Sequence, residues 1–395
     1  MVNSTLNQGS TYNTIWAYPW DLHDDGIDVC IRYLREDVGL DAVSVAAAYH
    51  TFQQLRPQRP GAKLLVSNEA AVYFQPDQEL YRGTAIEPNV AALAQQSNPL
   101  AELGSSCSKH GLDLIAWTVC LHNSDVAARY PQFAQQTAYG DNLGWIPCPG
   151  EDDVRAYVVA LCTDLVHNYG VKRLELEMCN FGAYGHTHHH PKDGMVLGSI
   201  GHYLYSLSFS AGCMAKAADR GIDAQGLRRW VRDQLDGVFA SGCALEGDVE
   251  MYVGEHAELA AFQGLREDLV ASLVAQIKAA AGAAEAEVAF MLMGDRWVSA
   301  VDREKIARHA DFLETLAYTN SPESARQQVM GLLPVVPPER LVVGLQAYPP
   351  AASSAESLGQ VAGAVQECGV RQLSFYNYGI MPRPNLDWIR SYIKK

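Results

Sequence analysis

The segment LELEMCNFGAYGHTHHHPKDG, residues 174–194, holds the densest group of side chains in this sequence that could do chemistry. It places Glu175 and Glu177 in an apolar run and follows them with Cys179 and histidines at 186 and 188–190. Such residues could be metal ligands, catalytic acids or a charged surface. Residues 175 and 177 share one strand face, so both could point inward, with Glu177 nearer the carboxyl end of the strand.

Glu177 is the predicted catalytic acid, because a carboxyl group in an apolar strand has a raised pKa that suits a general acid at neutral pH. Glu175 is expected to pair with an arginine or lysine of a neighbouring strand. A site that uses a carboxylic acid as proton donor usually pairs it with a second carboxylate that stays ionised. Asp295, in MGDRW, and Glu314 compete for that role. The alternative for each is a salt bridge, with Arg296 as a partner for Asp295.

The elements that must position these side chains follow a repeating pattern. Eight short apolar runs alternate with amphipathic helical stretches, at 14–20, 41–50, 112–122, 173–178, 287–295, 311–319, 340–348 and 371–379. Eight near-continuously apolar strands, each followed by a helix, predict a parallel (β/α)8 TIM barrel as a single domain over 1–395. A doubly wound sheet is the rival, but no GxGxxG or GxxxxGK[ST] motif follows a strand.

Two insertions are predicted in this barrel. Residues 51–86 lie after strand 2 and contain AKLLVSNEAAVYF, which indicates a hairpin or an extra strand. Residues 195–285 lie after strand 4 and indicate two or three extra helices. Both insertions are expected to lie over the rim that carries Glu177.

The carboxyl ends of the strands carry the chemistry in such barrels, and here they gather aromatic, amide and histidine side chains. The predicted substrate-binding residues are Trp20, Asp21, Tyr49, His50, Trp117, His122, Asn123, His188, Trp297, Tyr318, Gln346, Tyr348, Tyr376 and Asn377. Aromatic rings stack on the apolar faces of sugars, while amides and carboxylates bind hydroxyls. The pattern therefore predicts a carbohydrate site, in which Asp21 is a further candidate for the second carboxylate.

The histidine run has three interpretations. Adjacent imidazoles cannot all bind one ion, because successive side chains diverge, and the HxH spacing is met only by His186/His188 and His188/His190. The preferred interpretation is a loop that offers His188 and Lys192 to sugar hydroxyls; a metal site and a solvated loop are the others. His50 and His122 end barrel strands and either belong to the site or have a capping or core role.

Composition excludes several classes of function. The net charge of −15, without a basic tract, argues against nucleic acid as a partner. No run of 18 apolar residues appears, the N-terminus lacks the features of a signal peptide, and the nine cysteines are scattered without a CxxC pair. These features predict reduced thiols in the cytoplasm and no membrane span. Neither a cofactor nor a metal is expected, and no feature sets an oligomeric state.

Five segments resemble uncharacterised glycoside-hydrolase-like TIM barrels: AYPWD, AYH, AWTVCLHN, GWIPCPGEDDVRAYVVALCTDL and LELEMCNFGAYGH. The resemblance covers roughly residues 14–220, and the ending LSFYNYGIMPRPNLDWI is of the same type. It implies a carbohydrate-active barrel with Glu177 at the acidic position of strand 4. The sequence departs from many retaining barrel glycosidases at strand 7, where GLQAYPP has Gln346 in place of a glutamate nucleophile.

The expected function is hydrolysis of a small glycoside or an oligosaccharide by Glu177 with either Asp295 or Glu314. A metal-dependent sugar isomerase, epimerase or lyase is the second hypothesis. Such barrels usually need several acidic ligands on strands 4 to 8, whereas strands 7 and 8 end in Gln, Tyr and Asn. A barrel without catalysis that binds carbohydrate or a protein partner is the third.

Overall fold

The computed structural model describes residues 11–186, 190 and 192–394. One parallel strand corresponds to each of the eight apolar runs: β1 (Tyr12–Ala17), β2 (Ala42–Tyr49), β3 (Asp113–Val119), β4 (Arg173–Glu177), β5 (Glu287–Met291), β6 (Phe312–Leu316), β7 (Leu341–Gln346) and β8 (Gln372–Tyr376). Each strand pairs with the next in sequence, and β8 pairs with β1, which closes the sheet. The predicted (β/α)8 barrel is confirmed.

Every barrel strand is followed by at least one helix before the next strand begins. The helices of the first three connections are Pro19–Asp25, Ile27–Arg32, Tyr33–Val38, Gln78–Tyr81, Ala92–Gln96, Pro99–His110, Ser124–Arg129, Pro131–Phe133 and Asp152–Asn168. Between β4 and β5 lie Gly198–Ser206, Ala211–Asp219, Ala224–Ser241, Val249–Gly254 and Ala257–Gly282. The remaining helices are Arg303–Ala307, Pro322–Met330, Pro338–Arg340, Ala355–Glu367 and Asn385–Ile393.

Local sequence sets where these helices begin and end. Helix Pro99–His110 starts at Asn98, whose side chain accepts a hydrogen bond from the amide of Ala101, and Pro99 occupies the first turn, where no amide donor is needed. The helix stops at Gly111, which has a φ of +68° that L-residues with a side chain rarely adopt. A helix of defined length is thereby placed before β3.

The barrel strands are apolar almost throughout because both faces of the sheet are covered. All eight residues of β2 are buried. The outer faces of the strands pack against the helices in one large apolar core. A second, mostly aromatic cluster fills the inside of the barrel and is made by Trp16, Tyr18, Trp20, Ala46, Tyr49, Tyr73, Trp117, Val119 and Met291. The interior is therefore packed rather than open, as is usual for this fold.

Two hairpins lie in the connections near the carboxyl ends of the strands. The first pairs Phe52–Leu55 with Leu64–Ser67, and the short strand Ala71–Val72 then pairs antiparallel with β2. The second pairs Ala134–Gln136 with Asn142–Pro147, between β3 and β4. The first hairpin falls in the segment 51–86.

Two further findings concern the described part of the chain as a whole. None of its helices combines the length and the apolar character needed to cross a membrane. All nine cysteines lie in this part, and each is a free thiol; seven of them are buried.

Candidate active site

Strand register turns the candidate carboxylates toward the barrel axis. Glu177, at the end of β4, pairs with Val119 of β3, and Glu175 pairs with Trp117. Residues paired across parallel strands face the same side of the sheet. Val119 and Trp117 belong to the inner aromatic cluster, so both glutamates share that interior.

Glu177 is buried next to an indole. Trp117 Nε1 donates a hydrogen bond of 2.5 Å to Glu177 Oε2. Only 9% of the residue is exposed. Burial raises the pKa of Glu177 to about 7, the hydrogen bond from Trp117 opposes this rise, and the charge of Glu175 adds to it. The carboxyl group can therefore hold or release a proton near neutral pH.

Glu175 lies one layer deeper in the barrel and takes its hydrogen bonds from neutral donors. Trp16 Nε1 donates to Glu175 Oε2 at 2.9 Å, and the hydroxyl of Ser44 donates to the same oxygen. Burial raises the pKa of Glu175. The expected pairing with an arginine or lysine of a neighbouring strand is wrong. Arg173, on the same strand, instead bonds Glu287 through Nη2 at 2.8 Å.

Glu314 joins this group from β6. It pairs with Met291 of β5, which belongs to the inner cluster. Its side chain is fully buried, and neither carboxyl oxygen has a hydrogen-bond partner among the described residues. Burial raises the pKa of Glu314 well above its usual value, with a further contribution from the charges of Glu175 and Glu177. The fold thus brings three interacting carboxyl groups together inside the barrel.

Asp295 occupies a different environment from Glu314. It lies past the end of β5 and is exposed, and its Oδ1 accepts hydrogen bonds of 2.7 Å from the amides of Trp297 and Val298. Among the ion pairs of the described residues, the neighbouring Arg296 bonds Glu267 at 2.8 Å and not Asp295. Arg296 therefore forms its salt bridge with Glu267, and not with Asp295 as the sequence suggested.

The loop that carries Asp295 is tied to the outer layer of the protein. The buried guanidinium of Arg266 donates to the carbonyls of Trp297 and Val298 at 2.7 and 2.5 Å. Trp297 is half-buried and packs against the core between sheet and helices. Trp297 therefore stands apart from the inner aromatic cluster.

Tyrosines form the layer above the carboxyl groups. The hydroxyl of Tyr18 lies 3.1 Å from that of Tyr49 and 2.9 Å from that of Tyr376. Tyr376 also contacts Tyr318 and Tyr348, at ring-centroid distances of 5.6 and 6.4 Å. Burial raises the pKa of Tyr376. Five predicted or neighbouring tyrosines thus converge from β1, β2, β6, β7 and β8 on one mouth.

Trp20 and Asp21 are part of a packed network around the first hairpin. Trp20 stacks on Phe52 with ring centroids 4.5 Å apart, and its Nε1 donates to Gln54 Oε1 at 2.6 Å. Asp21 is almost fully buried and bonds Arg56 Nε at 2.6 Å. Burial raises the pKa of Asp21, and the bonds from Gln54 and Arg56 oppose the rise. Both predicted residues thus contact the hairpin directly.

Histidines that follow β2 and β3 and one from the segment after β4 meet at the rim. The rings of His50 and His122 stack with centroids 4.2 Å apart, and His186 lies 4.6 Å from His122. Trp145, from the second hairpin, contacts both His122 and His186. His188, the predicted sugar-binding histidine, lies outside the described residues. Within the described ranges no group of three His, Cys, Asp or Glu side chains is arranged to hold a metal ion.

The remaining predicted residues lie at the strand ends, where Asn123 and Asn377 form hydrogen bonds with nearby backbone amides. Asn123 caps helix Ser124–Arg129 by accepting from the amide of Val126 at 2.9 Å. Asn377 is fully buried and accepts from the amide of Gly379 at 2.9 Å. Gln346 is half-buried at the end of β7.

Sequence reasoning missed several residues that contact the predicted ones. Trp16, which donates a hydrogen bond to Glu175, could have been found from alternation, since Tyr18 follows β1 directly in extended backbone, two residues after Trp16, and so shares its face. Phe52 and Trp145 come from hairpins in connecting segments, where the sequence has no strong periodic signal.

Comparison with known proteins identifies likeness in structure but not in sequence. No protein-family model matches the chain, and no curated protein matches it significantly. The glycoside hydrolase domain of PgaB (BpsB) from Bordetella bronchiseptica is similar with a TM-score of 0.61 and 12% identity, over 97% of this chain and 99% of that one.

Two larger enzymes are also similar. The beta-galactosidase from Marinomonas ef1 has a TM-score of 0.59 and 11% identity, and 97% of this chain matches 59% of that chain. The alpha-L-fucosidase isoenzyme 2 from Paenibacillus thiaminolyticus has a TM-score of 0.58 and 11% identity, with 97% of this chain matching 49% of that chain. The chain spans about half the length of these two enzymes. It has the (β/α)8 barrel fold that it shares with these glycoside hydrolases.

Proposed function

We propose that this protein is a glycoside hydrolase that acts on a small glycoside or an oligosaccharide at the carboxyl end of its barrel, with Glu177 as the proton donor. The observation that carries the proposal is the environment of Glu177. It ends a barrel strand, lies under a layer of tyrosines and has a pKa raised by burial to about 7. In barrel enzymes the reacting groups come from such strand ends.

The reaction follows from this protonation state. Glu177 transfers its proton to the glycosidic oxygen as the bond from that oxygen to the sugar carbon breaks. The electron pair of the broken bond stays on the leaving oxygen. Water supplies the hydroxyl group that the sugar carbon gains and the proton that returns to Glu177.

Glu314 is our candidate for the second carboxylate, because the register of β4, β5 and β6 brings it into the same interior as Glu177. Two strongly interacting carboxyl groups titrate as a pair. Because burial raises the pKa of Glu314 well above its usual value and that of Glu177 to about 7, the proton of the singly protonated pair favours Glu314. The catalytic form, with Glu177 protonated and Glu314 ionised, therefore requires the proton to shift to Glu177 when the substrate binds. Asp295 is the alternative: it is exposed and follows β5, but its loop is bonded to the outer helix Ala257–Gly282.

A carbohydrate as substrate is supported by the aromatic lining of the mouth. Tyr49 and Tyr376 lie near Glu177, and the hydroxyl of Tyr18 lies within hydrogen-bond distance of both their hydroxyls. Sugars need both aromatic rings and hydroxyl groups in a site, since their ring faces are apolar and their edges carry hydroxyls. The names of the structural neighbours, which include a galactosidase and a fucosidase, agree with this substrate class.

The test is a panel of aryl glycosides assayed with wild type and Glu177→Gln. For substrates with poor leaving groups the substitution should lower kcat by about 10²–10⁴-fold, the usual contribution of a positioned acid. Activated aryl glycosides, whose leaving groups need little protonation, should lose much less. Glu356→Gln, at an exposed position of helix Ala355–Glu367, is the matched control and should behave as wild type. Equal turnover of both substrate types by Glu177→Gln and wild type would refute the proposal.

Chemical rescue identifies the second carboxylate. Alanine at that position leaves space for a small anion, so azide should restore turnover of an activated aryl glycoside and form a glycosyl azide. We expect rescue of Glu314→Ala and none of Asp295→Ala. The reverse result would assign the role to Asp295.

A barrel that binds carbohydrate without cleaving it is the second candidate. It is favoured by Gln346, which ends β7 with an amide, and by the burial that raises the pKa of Glu314 and so favours its neutral form. Calorimetric binding of an oligosaccharide that wild type leaves intact would establish this function in place of hydrolysis.

We also propose the cytoplasm as the compartment. The support is the nine free thiols, since disulfides are rare in reducing compartments.

A further inference from the structure

A cavity lies beside the barrel, between the segment that follows β4 and the helices that come after it. Its volume is about 580 Å³. The residues that matter for its chemistry are Tyr184, Asp193, His202, Tyr205, Phe239 and Glu246. None of them belongs to the inner aromatic cluster, and none is one of the three buried glutamates, Glu175, Glu177 and Glu314.

Aromatic rings form one wall of this cavity. Tyr184 meets Tyr205 edge-on with ring centroids 4.8 Å apart, and Tyr205 meets Phe239 in the same way at 6.2 Å. Phe239, on helix Ala224–Ser241, is 42% exposed. A large ring that remains exposed in a concave surface is unusual and marks a binding site more often than an isolated apolar residue does.

Polar groups hold the rings in place and line the rim. The hydroxyl of Tyr184 donates to Asp193 Oδ1 at 2.7 Å, and His202 Nε2 lies 2.9 Å from the carbonyl oxygen of Tyr184. Burial and the bond to Asp193 raise the pKa of Tyr184 to about 12, with the bond as the larger cause. Apolar faces bordered by carboxylates and an imidazole match the alternation of faces and hydroxyls in a pyranose.

The cavity is continuous in sequence with the mouth of the barrel. Tyr184 lies two residues before His186, whose ring contacts His122 at the end of β3. His186 also lies 4.4 Å from the ring of Trp145. The segment that contributes Tyr184 to the cavity therefore also contributes, two residues later, a ring to the histidine cluster at the rim.

We propose that this cavity is a second carbohydrate-binding subsite, which holds further neutral sugar units of the oligosaccharide that is cleaved at Glu177. The inference rests on the proposed function and narrows its substrate to chains long enough to reach from the mouth to Phe239. Neutral sugars are the occupant because the carboxylates of Asp193 and Glu246 outnumber the one ammonium group among the described residues of the lining, that of Lys192. The net charge of −15 likewise disfavours anionic glycans.

The kinetic test uses Phe239→Ala with two substrates: an aryl monoglycoside that wild type cleaves and a long oligosaccharide of the same sugar. Loss of one stacking ring should lower kcat/KM for the oligosaccharide about tenfold, mainly through KM. Turnover of the monoglycoside should not change. Phe239→Tyr keeps the ring and should restore the wild-type value. Met330→Ala removes a comparably exposed apolar side chain on a remote helix and serves as the control.

A binding test separates this inference from the proposed function. Wild type, Glu177→Gln and Glu177→Gln/Phe239→Ala are applied to immobilised neutral oligosaccharides of glucose, galactose, fucose and N-acetylglucosamine. The subsite is supported if long chains bind Glu177→Gln/Phe239→Ala more weakly than they bind wild type and Glu177→Gln. This holds even if no glycoside is hydrolysed. Equal binding with and without Phe239, or no binding of any chain by wild type, overturns the subsite, while hydrolysis of aryl glycosides would still support the proposed function.

Discussion

Trp117 Nε1 and Glu177 Oε2 are joined by a hydrogen bond of 2.5 Å across neighbouring barrel strands. The bond has an electrostatic consequence, because a donor that faces a carboxylate favours the ionised form. Burial acts in the opposite direction and is the larger effect, which leaves the pKa of Glu177 at about 7. The hydrogen bond from Trp117 therefore limits how far burial raises the pKa of Glu177, the proposed proton donor.

Trp117→Phe should shift the pH dependence of activity upward. Without the donor, the ionised form of Glu177 loses stabilisation, so its pKa rises by about one unit or more. A proton donor is active in its protonated form, and the alkaline limb of the kcat/KM profile should move to higher pH by that amount. Trp16→Phe, which removes the donor to Glu175 instead, is the control and should move the limb less. An unchanged or lowered alkaline limb in Trp117→Phe would contradict the assignment of Glu177 as the acid.

Glu314→Met should stabilise the protein, and more so at alkaline pH. A carboxyl group ionises near 4.5 in the unfolded chain, whereas burial raises the pKa of Glu314 well above this in the folded protein. The folded state therefore binds more protons above about pH 4.5, and the free energy of unfolding falls as pH rises through that range.

Urea unfolding of wild type and Glu314→Met measures this difference. The gain should be about 1–3 kcal/mol near pH 8, the usual cost of leaving a buried polar group without a partner, and smaller near pH 5. Glu356→Gln, at an exposed carboxyl group, should show no such trend. A gain independent of pH would mean that packing, not the charge of Glu314, limits stability.

Arg56→Ala should destabilise the protein strongly, because it leaves the buried carboxylate of Asp21 without its cation. The two groups are 2.6 Å apart, and their side chains are only 10% and 4% exposed. Removing one partner of such a pair typically costs about 3–5 kcal/mol.

Thermal or urea unfolding provides the measurement for Arg56→Ala. Asp21→Asn should cost less, since Arg56 keeps its bond of 2.8 Å to Asp24. If both variants unfold like wild type, the network around the first hairpin does not stabilise the fold, and Asp21 is then free to serve the substrate.

Gly344→Ala should disturb the barrel interior. A Cβ at Gly344 would lie 2.6 Å from Trp16 Cη2 and 2.8 Å from Leu316 Cδ2, closer than such contacts occur. Overpacking of this kind costs about 1–3 kcal/mol. The smaller ring in the double variant Gly344→Ala/Trp16→Phe should recover part of that loss, measured as a coupling free energy in urea unfolding. Gly363→Ala, where nothing lies within 4 Å, is the control. Additive effects of Gly344→Ala and Trp16→Phe would show that the two positions do not compete for space.

Much of the fold could be predicted from the sequence because its signals are local. Each barrel strand is a short apolar run, and each is followed by a helix, so their number and order are visible without tertiary information. The alternation of strand side chains likewise places Glu175 and Glu177 on one face of β4. Once parallel strands are assumed, their carboxyl ends must share one rim, which brings the ends of β4, β7 and β8 together.

What the sequence by itself determined about this protein is therefore the barrel, its eight strands and the position of Glu177 at the end of the fourth. Only the tertiary structure decided which groups surround that carboxyl. Glu314 and Asp295 are equally plausible in sequence, yet the register of β5 and β6 places Glu314 inside, while Arg266 binds the loop of Asp295 to an outer helix. The reason is physical: these positions depend on hydrogen bonds and packing between residues far apart in the chain, which leave no periodic trace in the segments that make them.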